Sequence, residues 1–333
     1  MVSKSAVEPG RSTIRQSSRK HSGRNVIVFC CTALLMMLIA LYFTYEARGD
    51  VVEVVNRIVY ASPEDNDLHL TLFLPVSNKA QDSSSKDHLR PAVVMFHGGA
   101  WIAGTRHQLM WYGRELAKRG YVAASISYRM MPRYRFPEPV HDAKAAVRWM
   151  RVHADEYGID PDRIAATGHS AGGHLAMMLG TTADWEAFEG KENAGVSSQV
   201  QAVISMYGAV DLTPYASPES WIRIGGVARQ MMDFFVKEME GKGMEPLVSA
   251  SPITYIDAQS TPTLFIHGGN DNIVPVEVAL NAHYKLRSAG VSSRFLLLPD
   301  QGHSFDHFQP VLRTMVFNEM LEFLEEHLGE GVK

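Results

Sequence analysis

The chain has 333 residues, enough for one large α/β domain or two ordinary ones. Apolar residues make up 46% and charged residues 20%, which is typical of a folded enzyme and excludes a disordered chain. The net charge of -4 divides into +5 for residues 1–25 and -9 for the remainder. A domain this acidic lacks the basic face that phosphate contacts need, so we expect no nucleic-acid partner.

The amino-terminal region predicts a membrane anchor. A basic, serine-rich segment (residues 1–25) precedes an unbroken apolar run (residues 26–45) that is about long enough to cross a bilayer as a helix. Positive charges before this run and acidic residues after it predict a single-pass signal anchor, with the amino terminus cytoplasmic and the catalytic domain on the non-cytoplasmic side. The alternatives are secretion after signal cleavage, a transit peptide and a buried core helix; Tyr45 stands where a cleavage site needs a small residue.

Both cysteines, Cys30 and Cys31, lie inside the apolar run. The domain predicted for residues 46–333 therefore has no disulfide framework and no cysteine–metal site. It also lacks a His-Glu-x-x-His run, so the sequence implies no metal and no other cofactor.

Strand-like and helix-like segments alternate after the anchor. We expect strands at residues 51–60, 68–75, 91–96, 122–127, 163–167, 200–206, 263–267 and 293–298. Helices are expected at residues 109–119, 140–157, 276–288 and 310–327, with another beginning at Ala171. This alternation predicts an α/β fold with a mostly parallel central sheet and helices on both faces. Prolines interrupt the pattern at residues 207–260, which we interpret as a cap over the active site or a surface excursion.

A Gly-x-Ser-x-Gly pattern ends the fifth predicted strand. It reads Gly168-His169-Ser170-Ala171-Gly172 and leads directly into a helix-like run. A serine on so sharp a turn is pushed out of the sheet, where its hydroxyl can attack a substrate. The pattern by itself also fits an ordinary turn, so its context decides, and the context makes Ser170 the candidate nucleophile.

A serine hydroxyl needs a base, and the base needs an acid to hold its tautomer. His303 follows the last predicted strand and Asp271 follows the one before it, which gives the chain order Ser, Asp, His of an α/β-hydrolase. We therefore assign His303 and Asp271 to these roles. The competing residues are three other histidines and two other aspartates: His267, His283, His307, Asp300 and Asp306.

The negative charge that develops on a substrate oxygen needs backbone N–H donors. Gly98 and Gly99, which follow the third predicted strand, allow the main chain to approach closely, and Ala171 supplies the amide after the nucleophile. We expect these three residues to form an oxyanion hole.

These stretches, His97-Gly98-Gly99-Ala100-Trp101 and the segments around Ser170, Asp271 and His303, resemble α/β-hydrolase esterases with a His-Gly-Gly motif. That group includes hormone-sensitive lipase, the bacterial carboxylesterases and the acetyl-xylan-type esterases. The resemblance covers residues 51–327 and implies a serine carboxylic-ester hydrolase acting on short-acyl or acetyl esters of small molecules or carbohydrates. Ala100 departs from it by replacing the third glycine of His-Gly-Gly-Gly, which leaves open which amides form the hole.

Two other functions share the fold. A serine peptidase or amidase would use the same triad, although related peptidases carry a large extra domain. A catalytically inactive binding protein on this fold would have no need for Ser170, Asp271 and His303 together.

Overall fold

The computed structural model describes residues 52–76, 89–183, 185–216 and 245–331. Within these residues the backbone forms an eight-stranded sheet with the order β1-β2-β4-β3-β5-β6-β7-β8. The strands are Val52–Ala61 (β1), Leu68–Pro75 (β2), Arg90–Phe96 (β3), Val122–Ile126 (β4), Ile159–His169 (β5), Ala202–Met206 (β6), Thr263–Gly268 (β7) and Ser293–Leu298 (β8). Strand β2 is antiparallel to β1 and β4, and β3 to β8 are parallel to one another. This is the mostly parallel sheet that the sequence predicts.

Helices cover both faces of the sheet. The α-helices are Met110–Lys118 (α1), Glu138–Val152 (α2), Ala154–Tyr157 (α3), Ala171–Thr181 (α4), Glu245–Ser249 (α5), Val276–Ser288 (α6), Phe305–Phe308 (α7) and Pro310–Leu328 (α8). Short 3-10 helices lie at Pro63–Asp65, Arg106–Leu109, Glu186–Phe188, Thr213–Ala216 and Pro252–Tyr255. Helices α2, α4 and α6 form the core on one face, and α1 and α8 form the core on the other.

Strand β3 is apolar throughout because both of its faces are covered. Val94 packs into the core under α2 and α4, whereas its neighbour Val93 packs into the core under α1 and α8, and neither is exposed to solvent. Since successive side chains of a strand point to opposite faces, a strand between two helical layers needs an apolar residue at every position.

Two elements have a boundary that differs by more than two residues from the sequence prediction. The helix expected at residues 140–157 is divided, because His153 (φ -100°, ψ 19°) is not helical and separates α2 from α3. Strand β5 begins at Ile159, earlier than expected, because Ile159 pairs with Arg90 of β3. The amide of Arg90 also donates to the carbonyl of Gly158 at 2.9 Å. Neither of these long-range contacts can be deduced from the local sequence.

Some predicted features lie outside the described residues. These are the basic segment 1–25, the anchor at 26–45 and residues 217–244 of the cap region. Within the ranges that the structure describes, no helix combines the length and apolarity that a bilayer crossing requires. The described parts of the cap region pack into the core, where Leu212 and Leu247 are fully buried.

The parallel strands end at a common edge of the sheet. Phe96, the last residue of β3, pairs with Gly168 of β5, and the last residues of β7 and β8, Gly268 and Leu298, pair with each other. The loops that follow these four strands therefore open at the same edge, where open α/β sheets bind their ligands. They carry all six residues that the sequence analysis selected.

Candidate active site

Ser170 occupies a strained turn between β5 and α4. Its φ of 54° and ψ of -115° lie in a region that side-chain-bearing residues rarely adopt. The turn is held by a hydrogen bond from the Ser170 amide to the carbonyl of Met206 at 2.9 Å, which ties the elbow to the end of β6. Such strain persists only where the surroundings fix it, and here it directs the hydroxyl into the cleft.

The two glycines of the Gly-x-Ser-x-Gly pattern are required by close backbone packing. A Cβ atom on Gly168 would lie 2.3 Å from the carbonyl carbon of Gly172. A Cβ atom on Gly172 would lie 2.0 Å from the carbonyl oxygen of Phe96 at the end of β3. Both distances are far below a van der Waals contact, so neither position accepts a side chain without moving the backbone.

Ser170, His303 and Asp271 form one continuous hydrogen-bonded chain. Nε2 of His303 lies 2.9 Å from Oγ of Ser170, and Nδ1 of His303 lies 2.7 Å from Oδ2 of Asp271. In the neutral state the hydroxyl donates to Nε2 and the Nδ1–H group donates to the carboxylate. This is the geometry that a serine nucleophile and its base require.

The Asp271 carboxylate is held ionised by the groups around it. Its Oδ1 atom accepts the amides of Ile273 at 2.9 Å and Val274 at 2.8 Å. Burial alone would raise the pKa of Asp271, but hydrogen bonds from His267 and His303, the charge of His303 and the Val274 amide hold that pKa well below its ordinary value. An ionised acid at this position stabilises an imidazolium on His303.

The three competing histidines have other partners. Nε2 of His267 lies 2.8 Å from the carbonyl oxygen of Val274 and 3.4 Å from Oδ2 of Asp271, so its N–H group is shared between these two acceptors. The ring of His283 pairs with the Ser293 hydroxyl, at the opposite end of β8. His307 lies on α7 next to Asp306, with 3.4 Å between its Nδ1 atom and the carboxylate. His303 is thus the histidine that the fold brings to Ser170.

Asp306 is a buried carboxylate at the centre of a hydrogen-bond network, whereas the sequence offered it only as an alternative to Asp271. Its two oxygens accept the hydroxyls of Tyr112 at 2.8 Å and Tyr207 at 2.7 Å. The ring of Tyr207 meets the ring of His303 edge to face, with 4.8 Å between the ring centres. Asp306 therefore fixes a tyrosine that supports the candidate base. The one local signal for this role is the position of Tyr207 directly after β6.

Asp306 also belongs to a group with metal-ligating atoms. Within the described residues, single ligand atoms of His169, Asp306 and His307 lie within 4.8 Å of one another. Both carboxylate oxygens of Asp306 already accept hydrogen bonds from tyrosine hydroxyls, and these bonds stabilise the carboxylate without a metal ion. We therefore describe the group as a hydrogen-bonded network.

The three candidate oxyanion donors border the same cleft as Ser170 and His303. Ala171 begins α4, and the first N–H groups of a helix have no partner inside it. Gly99 has a φ of 118°, and a Cβ atom there would lie 2.0 Å from the Ala103 carbonyl oxygen. Ala100, which replaces the third glycine of the motif, adopts the left-handed conformation with a φ of 54°. The backbone at Ala100 therefore adopts a conformation typical of glycine, although alanine replaces the third glycine of the motif.

The His97 side chain holds this loop in place. Its Nδ1–H group donates to the carbonyl of Gly98 at 2.8 Å, and its ring stacks on Tyr128 with 4.3 Å between ring centres. Burial lowers the pKa of His97 to about 4, so the ring is neutral at physiological pH. It acts as a positioning residue for Gly98.

The aromatic side chain of Trp101 lines the cleft. Tyr128 is buried against His97, and its hydroxyl donates to the His97 carbonyl at 3.0 Å. Trp111 packs edge-on against Phe317 with the Arg313 guanidinium over its ring. Both are structural contacts, and neither Tyr128 nor Trp111 borders the cleft.

Comparison with known proteins places this geometry in a family. The BD-FAE family model matches residues 80–286. Esterase LipC of Mycobacterium tuberculosis is 34% identical over 219 residues, which cover 65% of this chain and 53% of LipC. The isoprenylcysteine alpha-carbonyl methylesterase ICME of Arabidopsis thaliana is 26% identical over 312 residues, covering 92% of this chain and 70% of that protein. The chain spans about half the length of the mycobacterial relatives that it matches.

A solved structure agrees with the sequence matches. The native esterase Est2 of Thermogutta terrifontis is 32% identical and superposes with a TM-score of 0.68, covering 85% of this chain and 95% of the esterase. The shared fold, the family match and the esterase relatives all agree. The chain therefore belongs to the BD-FAE family, within the α/β-hydrolase carboxylesterases.

Proposed function

We propose that the protein is a serine carboxylic-ester hydrolase that acts through an acyl-enzyme on Ser170 and prefers short acyl groups. The observation that carries the proposal is the chain of hydrogen bonds at 2.9 and 2.7 Å that links Ser170, His303 and Asp271 at the cleft. Esterase relatives and the esterase structural neighbour support the ester as the substrate class.

In the first half of the reaction, Oγ of Ser170 attacks the ester carbonyl carbon while Nε2 of His303 takes the hydroxyl proton. A new C–O bond forms, and the carbonyl π electrons move to the oxygen. When the tetrahedral species collapses, the bond to the alcohol breaks, and the imidazolium returns the proton to the leaving alkoxide. Asp271 remains ionised and stabilises the imidazolium.

In the second half, water replaces the alcohol. His303 takes a proton from the water as it attacks the acyl carbon, and the imidazolium then returns that proton to Oγ of Ser170 as the acid leaves. The enzyme is thereby restored, and one ester and one water become one alcohol and one acid.

The oxyanion formed in each half needs donors that are already in place. We assign this role to the amides of Gly98, Gly99 and Ala171, with Gly99 and Ala171 as the principal donors. Loss of one such donor typically costs about 10²- to 10³-fold in turnover.

The preference for short acyl groups rests on the shape of the cleft. The described cleft has a volume of about 370 Å³, and both Trp101 and Ser170 border it. Structures of the Thermogutta terrifontis esterase are described with butyrate and with propionate bound, which supports a site for small acyl groups in this fold.

We also propose that residues 26–45 anchor the protein as a single-pass membrane segment, with the catalytic domain on the non-cytoplasmic side. The apolar run and the charge difference across it support this topology. Protease treatment of intact and lysed cells tests it: the catalytic domain should be digested only where the non-cytoplasmic side is accessible. Release of the protein in a shortened, secreted form would instead indicate a cleaved signal peptide.

The catalytic proposal is tested by hydrolysis of p-nitrophenyl esters from acetate to decanoate by the full-length protein and by Ser170→Ala. We expect turnover that depends on Ser170 and peaks between acetate and butyrate. An organophosphate should form one covalent adduct on Ser170, and mass spectrometry should locate the same adduct in Ser304→Ala, whose serine also borders the cleft. Turnover equal in wild type and Ser170→Ala would refute the proposal. Faster cleavage of p-nitroanilides than of esters would favour the peptidase or amidase.

A further inference from the structure

Trp101 forms a wall between two spaces. On one side it borders the cleft that contains Ser170 and His303. On the other side it borders a separate, small inner cavity of about 20 Å³, enough for about one water molecule. The indole belongs to the loop after β3 that also carries Gly98 and Gly99, so its position is coupled to that of the oxyanion donors.

The inner cavity is suited to an apolar group. Besides Trp101, its walls are formed mainly by the side chains of Met131, Phe136, Val140, Leu175 and Leu212. His174 also contributes, with its Nε2–H group donating to the carbonyl of Ala250 at 2.7 Å. Burial lowers the pKa of His174 to about 4, so this ring brings no charge into the cavity at neutral pH. A methyl or methylene group would therefore be favoured there over water.

The order of the strands determines which part of the substrate faces Trp101. Strands β3 and β8 lie on opposite sides of β5 in the sheet. Trp101 follows β3, whereas His303 follows β8. Because His303 returns a proton to the leaving alcohol, the alcohol lies on the β8 side of Ser170. With the carbonyl oxygen at the amides of the same loop, the remaining substituent is the acyl group, which we place against the indole at the wall of the cleft.

The indole is fixed by its surroundings. Trp101 has a φ of 57°, and its carbonyl accepts the Met131 amide at 2.8 Å. Its ring packs edge-on against His174 with 4.8 Å between ring centres, and only 5% of the residue is exposed. A side chain held in this way acts as a rigid end wall.

We propose that Trp101 sets the upper limit of acyl length by closing the cleft toward the small apolar cavity behind it. Removal of the indole would join its volume to that cavity and make room for an unbranched alkyl chain, such as the distal half of a hexanoyl or octanoyl group. This inference rests on the acyl-enzyme mechanism proposed above, and it adds a residue that determines specificity.

The test is the ratio of kcat/KM for p-nitrophenyl octanoate to that for the acetate, measured in the full-length protein. We expect Trp101→Ala to raise this ratio at least tenfold, since each methylene group newly buried can contribute about fourfold. Trp111→Ala is the matched control, because it removes a tryptophan that touches neither space, and its ratio should equal that of wild type. In Trp101→Ala/Val140→Phe a ring fills the opened cavity, and the ratio should return toward the wild-type value.

The outcomes separate this inference from the mechanism. If wild type hydrolyses acetate through Ser170 but a folded Trp101→Ala shows an unchanged ratio, the inference is wrong and the mechanism stands. If the alanine variant unfolds, the same ratio is measured in Trp101→Leu, which keeps more of the packing. A raised ratio that Val140→Phe does not reverse would also overturn the inference, because the gain would then come from elsewhere. Absence of Ser170-dependent hydrolysis of any ester would instead refute the mechanism.

Discussion

Replacement of Asp306 by asparagine tests how much of the stability of the fold depends on the network beneath the candidate triad. The carboxylate is 1% exposed and accepts hydroxyl groups from α1 and from the end of β6. Asparagine has nearly the same shape but carries no charge. Its amide nitrogen would face one of the two tyrosines, which would have to turn its hydroxyl and accept a bond instead.

The expected loss follows from the two hydrogen bonds. A bond to a charged group contributes about 1.5–3 kcal/mol, whereas a neutral one contributes about 0.5–1.5 kcal/mol. Weakening two such bonds in a buried site should lower the free energy of unfolding by about 3 kcal/mol. That is a large part of the roughly 5–15 kcal/mol that stabilises a typical protein. Asp300→Asn is the matched control, because Asp300 lies in the loop between β8 and α7 and is exposed; its change should stay below about 0.5 kcal/mol.

The dependence of this difference on pH gives an independent check. Burial alone would raise the pKa of Asp306, but nearby His169 and hydrogen bonds from His307, Tyr207 and Tyr112 hold that pKa well below its ordinary value. A lowered carboxyl pKa stabilises the folded state above the unfolded-state value of about 3.9, and this contribution is lost as the pH falls below it. Because the Asp306 carboxylate raises the pKa of His307, the difference between wild type and Asp306→Asn should grow as the pH falls from 7 to 5, and it should shrink below about pH 4.

Urea unfolding followed by circular dichroism measures both quantities. A loss below about 0.5 kcal/mol at pH 7, equal to that of Asp300→Asn, would show that the buried carboxylate contributes little and would refute the argument from charged hydrogen bonds.

Three further predictions follow from the same structure. Gly172→Ala should prevent folding or abolish activity, because its methyl group would lie 2.0 Å from a backbone oxygen. Gly195→Ala, with nothing within 4 Å of its Cβ atom, should lower the free energy of unfolding by only about 1 kcal/mol. Equal melting temperatures of the two variants would contradict this prediction. Asp271→Asn should lower kcat on the order of 10⁴-fold with little change in KM, because the acid orients the base, and an intact kcat would exclude that role. The free energy of unfolding should decrease as the pH falls from about 6.5 to 4, because buried histidines whose pKa burial lowers to about 4 gain protons only on unfolding. Each such histidine should contribute up to about 1.4 kcal/mol per pH unit. Urea unfolding with a free energy that does not change over this range would contradict the prediction. These histidines are His97, His169 and His174.

Local sequence was sufficient for the elements and for the candidate triad. Apolar runs of strand length separated by amphipathic segments predicted β3, β8 and α6 closely, because burial on one or both faces dictates the spacing of apolar residues. Ser170 was identifiable because a sharp turn between a strand and a helix needs small residues at fixed positions. His303 and Asp271 were identifiable because each follows a parallel strand, and the carboxyl ends of such strands meet at one edge.

The sequence alone did not reveal the contacts between distant segments. Tyr112 and Asp306 are separated by 194 positions, and Tyr207 and Asp306 by 99. Lys144 is another example: it is fully buried on an amphipathic helix, where it pairs with Glu189 across 45 positions at 2.5 Å. No local periodicity encodes such pairs.

The sequence by itself therefore determined which elements form and which side chains stand at the ends of the strands. Only the tertiary structure decided which carboxylate supports Tyr207 and that Trp101 separates the cleft from the inner cavity. The physical reason is that the periodicity of a segment depends on which of its faces is buried, whereas a site depends on which segments become neighbours. The order β1-β2-β4-β3-β5-β6-β7-β8 sets those neighbours, and it is fixed by the packing of the whole sheet against both helical layers.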